Sequence, residues 1–139
     1  NQEIHTKKIK VFGGDQLRPN IHIKDMCRAY IELIEAKQSL VNKQAFNIGF
    51  ENFSVLEIAN IVKKNMDNEI NLEKVSTDDI RSYHVSSEKI KSSINFKTKY
   101  NIDNAVRDLK NAFKENFFKD PLSNEEYFNI KKMQKIDLK

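Results

Sequence analysis

The stretch GGDQLRPNIHIKD, residues 13–25, sets a Gly-Gly pair, an arginine, a proline and a histidine between isoleucines into thirteen positions. Before it, residues 8–12 (KIKVF) alternate polar and apolar, which predicts a short strand running into a tight turn at Gly13-Gly14. After it, Ile21 and Ile23 flank His22 in a second extended piece, and Met26, Ala29, Tyr30, Leu33 and Ile34 recur at spacings of three and four. That period predicts a helix from Asp25, its expected N-cap, to about Lys37. Strand, turn, strand and helix within thirty residues is the opening of an α/β fold.

The same alternation continues along the chain. AFNIG (45–49) reads as a buried strand, and Ser54 with Glu57 makes a capping box ahead of Val55, Ile58, Ala59 and Val62, giving a helix from 55 to about 66. Residues 69–75 alternate again as a strand, and STDDIRSYHVSS (76–87) is a polar loop. Ser86 or Ser87 can cap a short helix through Ile94, and Asp103 can cap another whose Ala105, Val106, Leu109 and Phe113 share a face. Ser123 and Glu126 form a further capping box for a final charged helix, within a charged helical tail over 119–139. No repeat or low-complexity linker divides the chain, so the 139 residues are expected to form one domain.

Composition narrows the function. No apolar run approaches the roughly 20 residues that cross a bilayer, and no basic-then-apolar leader opens the chain, so no membrane contact and a cytoplasmic location are expected. Asn1 in place of an initiator Met points to a piece of a longer protein. The single cysteine, Cys27, reads as a buried free thiol on the apolar face of its helix. A net charge of +4 comes from lysines scattered among acids, without the basic stripe that a nucleic-acid binder presents.

Several chemistries lack their residues. Three glycines, Gly13, Gly14 and Gly49, cannot supply a dinucleotide fingerprint, and no P-loop is present. His5, His22 and His84 lie far apart without carboxylates at ligand spacing, so no metal site is expected. Tyr127 and Lys131 have a Tyr-x-x-x-Lys spacing, but they sit in a charged helical segment where i,i+4 neighbours arise by chance. What remains is Arg18 and Arg81, two arginines in polar loops after strands, in a chain that otherwise favours lysine. A guanidinium can grip phosphate oxygens with two donors at once. The spacing equally allows ion pairs, Arg18 with Asp15 or Arg81 with Asp78 or Asp79, while Arg28 and Arg107 read as surface residues on helices.

In order and spacing, KIKVFGGDQLRPNIHIKDMCRAYIELI, FNIGFENFSVLEIANIV and DIRSYHVSSEKIKSSINFKTKYNIDNAVRDLKNAF resemble the C-terminal part of extended short-chain dehydrogenase/reductases. More narrowly, the chain resembles the last third of the NAD-dependent sugar-nucleotide epimerase/dehydratase family, over about residues 8–113. The resemblance implies a small α/β substrate-binding domain fragment, with NAD and the catalytic Tyr-x-x-x-Lys carried by an N-terminal Rossmann domain that this chain lacks. Such a chain binds no cofactor, is inactive alone, and holds a nucleoside-diphosphate sugar of the kind used for surface polysaccharides. Arg18 and Arg81 match the arginines that reach the diphosphate from two sides; Val11 and Phe12 match the segment along the nucleobase; Gln16 and Tyr83 match positions lining the same pocket. His22 and Asp25 match a scaffolding stretch, as a buried hydrogen-bonding histidine and a helix cap. Many relatives carry an acidic residue three positions after the second arginine, against the ribose; here His84 stands there. Without its Rossmann partner, such a fragment exposes apolar surface that invites homodimerisation. The competing expectations are a non-catalytic interaction module or truncated remnant without a ligand, and a nucleic-acid binder suggested by charge alone.

Overall fold

The computed structural model describes residues 7–66 and 69–136. The elements run β1 (Lys8–Phe12), β2 (Leu17–Asn20), α1 (Ile23–Glu35), α2 (Gln38–Val41), β3 (Glu51–Ser54), α3 (Val55–Asn65), β4 (Asn71–Val75), α4 (Glu88–Ile94), α5 (Ile102–Lys114), a 3-10 turn (Glu125–Tyr127) and α6 (Asn129–Lys135). The α/β class expected from the alternation is the one observed. His5 and residues 137–139 of the tail lie outside the described residues.

β1 follows its two-residue period: Ile9 and Val11 turn inward while Lys8, Lys10 and Phe12 turn out. β4 lies parallel to it, with Lys8 opposite Asn71 and Phe12 opposite Val75. α3 closes this pair from one side, where Val55, Leu56, Ala59, Val62 and Met66 pack with Ile9, Val11, Ile70 and Leu72. The Ser54 hydroxyl accepts from Glu57 N at 3.1 Å and the Glu57 carboxylate accepts from Ser54 N at 2.7 Å, completing the capping box read from the sequence.

The second extended piece lies earlier than expected. β2 is LRPN rather than the stretch around His22, and it pairs antiparallel with β3, Leu17 opposite Ser54 and Asn20 opposite Glu51. Pro19 is tolerated because the sheet has only two strands and both are edges. Ile23 already belongs to α1, whose N-cap is His22, not Asp25: the imidazole Nδ1 accepts from Lys24 N at 3.1 Å.

Asp25 does something else. Fully buried in the first turn of α1, its carboxylate accepts from Lys99 N and Tyr100 N at 2.9 Å each and from Arg28 Nη1 at 2.6 Å. It therefore ties the segment after α4 to α1. Arg28 is correspondingly no free surface residue; it also binds Glu32 at 2.9 Å and lies 5.4 Å over the Phe96 ring. Nearby, Ala29, Ile90 and Phe96 form a second core cluster with Leu33, Phe46, Ile48 and Ile94.

Only part of the periodic face of α1 is covered. Ile23, Cys27, Tyr30, Ile31 and Ile34 make one exposed stripe, with Ile34 82% exposed. Cys27 is thus exposed rather than buried. Residues 45–49 also depart from the expected strand: they lie outside any ladder, and Phe46 and Ile48 contribute side chains to the second cluster instead.

The remaining caps shift by a residue or two. The Ser87 hydroxyl accepts from Gly49 N at 2.8 Å, leaving the Ser86 hydroxyl to accept from Glu88 N at 3.4 Å. α5 is capped by Asn101 in a box with Asn104, while Asp103 accepts from the Asn65 amide at 2.8 Å; Leu109, expected on its packed face, is 54% exposed. Ser123 and Glu126 do not form a box: Ser123 donates to Asp120 O at 3.4 Å, Glu126 pairs with Lys132, and Asn124 caps the 3-10 turn. An extended Phe128 then separates Tyr127 from the helix that carries Lys131, so the two share no helix face. Tyr127 meets Phe118 edge-on, and the Lys131 ammonium lies over Phe128.

Candidate anion-binding site

The site is built where two loops meet beyond the C-terminal ends of β1 and β4. Gly13 and Gly14 turn the chain with φ of +73° and +125°, backbone that a Cβ strains. The turn is braced on three sides: Gly13 N donates to Val75 O at 2.8 Å, and Gly14 O and Gln16 O accept from Leu56 N and Val55 N at the start of α3. From this base β2 carries Arg18 outward.

Gln16 joins the two loops. Its amide oxygen accepts from Gly14 N at 2.7 Å, and its amide nitrogen donates to Phe12 O at 3.2 Å and Asp79 O at 3.0 Å. Further along, Leu17 N donates to the Ser82 hydroxyl at 2.9 Å and Leu17 O accepts from Tyr83 N at 3.1 Å. The 76–83 loop is thereby laid against β2, which brings Arg18 and Arg81 together.

The two guanidinium groups converge on one carboxylate. Arg81 grips Asp79 with two donors, Nε to Oδ1 at 2.7 Å and Nη2 to Oδ2 at 2.9 Å. Arg18 Nη2 stands 3.8 Å from the same Oδ2. Its Nη1 is anchored on Arg81 O at 2.6 Å and Leu17 O at 2.9 Å, and the Tyr83 ring lies against the group at 5.4 Å. The hydrogen bonds from Arg81 hold the Asp79 carboxyl down at about 2, and Asp79 in turn pushes the Arg81 guanidinium up. Of the ion pairs that spacing allowed, Arg81 with Asp79 forms, and Arg18 turns to Asp79 rather than Asp15.

Four of the six candidate residues, Arg18, Arg81, Gln16 and Tyr83, are therefore assembled. Gln16 also lines a cavity of about 230 Å³ with Asp15, Thr77, Asp79, Ile80 and Ser82. Phe12 is 54% exposed at the end of β1, whereas the Val11 side chain is sealed in the core and can offer only its backbone. His84 stands apart from the arginines, in a second cavity of about 420 Å³ lined with Gly49, Phe50, Ser87, Lys91 and Phe96 among others. Ser82 also belongs to this junction, though a serine between two site residues in a polar loop carries no sequence pattern that separates it from its neighbours.

Residues 1–49 match the model of the NAD dependent epimerase/dehydratase family. The matched segment contains the glycine turn, Gln16 and Arg18. No curated protein matches the sequence at a significant level. Among solved structures, the chain is similar in fold to L-threonine dehydrogenase from Clostridium difficile (TM-score 0.70, 23% identity, covering 82% of this chain and 38% of that one). It is also similar to ADP-L-glycero-D-manno-heptose-6-epimerase from Helicobacter pylori (TM-score 0.69, 18% identity, 81% and 35%). UDP-glucose 4-epimerase from Bifidobacterium longum, solved with NAD+ and UDP, gives a TM-score of 0.64 at 20% identity, covering 79% and 36%. At these identities the likeness is one of fold, and the chain spans little more than a third of the length of each structure.

The family's cofactor can be tested against the residues present. A nicotinamide dinucleotide rests its pyrophosphate on a glycine turn that opens a helix. Here Gly13-Gly14 leads from β1 into another strand, and a Cβ at Gly13 would meet the Gln16 amide at 2.4 Å, so the space beside the turn is filled. This turn does not fit NAD.

Proposed function

We propose that this chain is the substrate-binding C-terminal part of an NAD-dependent nucleotide-sugar epimerase or dehydratase, and that Arg18 and Arg81 hold the nucleoside diphosphate. The observation that carries this reading is the convergence of two guanidinium groups far apart in sequence, one on β2 rather than in the loop the sequence suggested and one in the loop after β4, on a single carboxylate. A carboxylate and a phosphoryl group present paired oxygens of similar spacing, and both suit a guanidinium fork. Phe12, exposed beside the turn, offers a ring edge or face for a base, and Tyr83 supports Arg18 from behind. The role of the chain in such an enzyme is positional: fixing the nucleotide fixes the sugar against a cofactor held elsewhere.

Isothermal titration with UDP, GDP, dTDP and CDP tests the reading, with NAD as the contrast. Binding of at least one diphosphate, lost in Arg18→Ala and Arg81→Ala, is the expected result. No heat with any of the four in a folded sample overturns it. The competing reading is an interaction module whose arginines serve only structure, and the internal acceptors of both guanidinium groups favour it. It predicts that the double variant loses stability and that no diphosphate binds the parent chain.

A further inference from the structure

We propose that Asp79 is a built-in competitor for the arginine pair, so that a phosphoryl ligand enters by exchanging with this carboxylate. The inference rests on the reading of Arg18 and Arg81 as a diphosphate clamp and adds how that clamp is controlled.

Three features of the loop carry it. The carboxylate takes the Nε and Nη2 edge of Arg81, at 2.7 and 2.9 Å, and faces Arg18 Nη2 at 3.8 Å, so it occupies the point between the two groups where a bridging ligand would sit. The main chain of Asp79 is held independently of that carboxylate: its carbonyl accepts from Gln16 Nε2 at 3.0 Å and its N–H donates to the Thr77 hydroxyl at 3.2 Å. The carboxylate also accepts from Arg81 N at 3.2 Å, so its rotation gives up this bond together with the two from the guanidinium, while the Asp79 backbone stays tied to Gln16 and Thr77. The exchange is also open to solvent, since the Arg81 and Asp79 side chains are 71% and 40% exposed. Arg18 is held separately, with its Nη1 bonded to two carbonyls and its Nη2 facing the carboxylate.

The charges give the direction. With Asp79 in place the three groups sum to one positive charge, and an incoming anion must both lose the attraction already satisfied and tolerate a neighbouring carboxylate. Removing one negative charge about 5 Å from a phosphoryl group in a partly exposed site strengthens binding by about tenfold. A ligand with two linked phosphoryl groups can occupy both arginines and repel the displaced carboxylate into water; a simple carboxylate only replaces like with like.

The test is a titration of the full chain with inorganic pyrophosphate at low ionic strength, on the wild type, Asp79→Asn, Asp79→Ser and Arg81→Ala, each checked for folding by circular dichroism. The expected result is binding about tenfold tighter in both Asp79 variants than in the wild type, and lost in Arg81→Ala. In the wild type itself, the Asp79 carboxylate carbon resonance should shift as pyrophosphate is added. Equal or weaker binding in the Asp79 variants, or an unmoved carboxylate resonance while the wild type binds, overturns the competitor role and leaves the clamp standing. Failure of the folded wild type and both Asp79 variants to bind overturns the clamp and the competitor together.

Discussion

Asp25 and Asp79 are both carboxylates held by an arginine, yet they have opposite consequences. Asp25 is sealed from water and satisfies two backbone N–H groups as well as Arg28, so deleting it strands buried donors and a half-buried guanidinium. Asp25→Ala should lower unfolding stability by about 3 kcal/mol in urea titration, whereas Asp79→Ala should leave the midpoint nearly unchanged. Acid acts on Asp79. Because hydrogen bonds from Arg81 depress the folded-state acidity of Asp79 to about 2, its contribution is fully present above the ordinary carboxylate value and fades as pH falls from about 3.8 through 2. A carbon-detected titration should follow this protonation at Asp79 near pH 2, below the ordinary carboxylate value of 3.8. The Lys24 ammonium beside Asp108 holds that carboxyl down as well, so acid also weakens the link from α1 to α5.

At the scale of elements, caps and turns set the boundaries. Ser54→Ala should cost about 1 kcal/mol, since it removes the acceptor for Glu57 N while the backbone N–H at position 54 keeps the Glu57 carboxylate, and thermal melting at neutral pH would register it. Gly13→Ala should cost more than the cap, because the new Cβ meets both a left-handed backbone and the Gln16 amide that joins the loops. Legibility followed the range of the interactions. The box at Ser54 and Glu57, the alternation of β1 and β4 and the period of α3 involve neighbours within one turn or one strand, and all were readable. The start of α1 differs from the reading because Asp25 is the better capping type by sequence, and only the distant Lys99 and Tyr100 amides draw its carboxylate into the interior and leave the cap to His22. β3, with no alternation in ENFS, becomes a strand only through its pairing with β2. The arginines of the site were legible as exceptions in a lysine-rich chain, but their common partner was one of several acids at suitable spacing, and the fold had to choose Asp79.

For the molecule as a whole, the uncovered stripe on α1 departs from a closed core. Ile34→Lys should change unfolding stability by less than about 0.5 kcal/mol, because the side chain gives up little burial, and should raise the concentration at which the chain stays monodisperse in light scattering. A loss of more than 2 kcal/mol would mean that this face is packed.

The register of β1 against β4 reaches further than the sheet. Gln16 and Asp79, and Arg18 and Arg81, are each 63 residues apart, the same offset that pairs Lys8 with Asn71 along the parallel strands. The strands act as a ruler whose graduations continue into the loops beyond them. A slip of two residues would carry Arg81 about 6.6 Å past Arg18, farther than either fork can reach. Since the parallel pair closes a long stretch of chain, its formation is also a slow, non-local event in folding. The anion affinity proposed for the arginine pair should therefore appear all at once, when the two strands lock in step, and be absent from a partly folded chain.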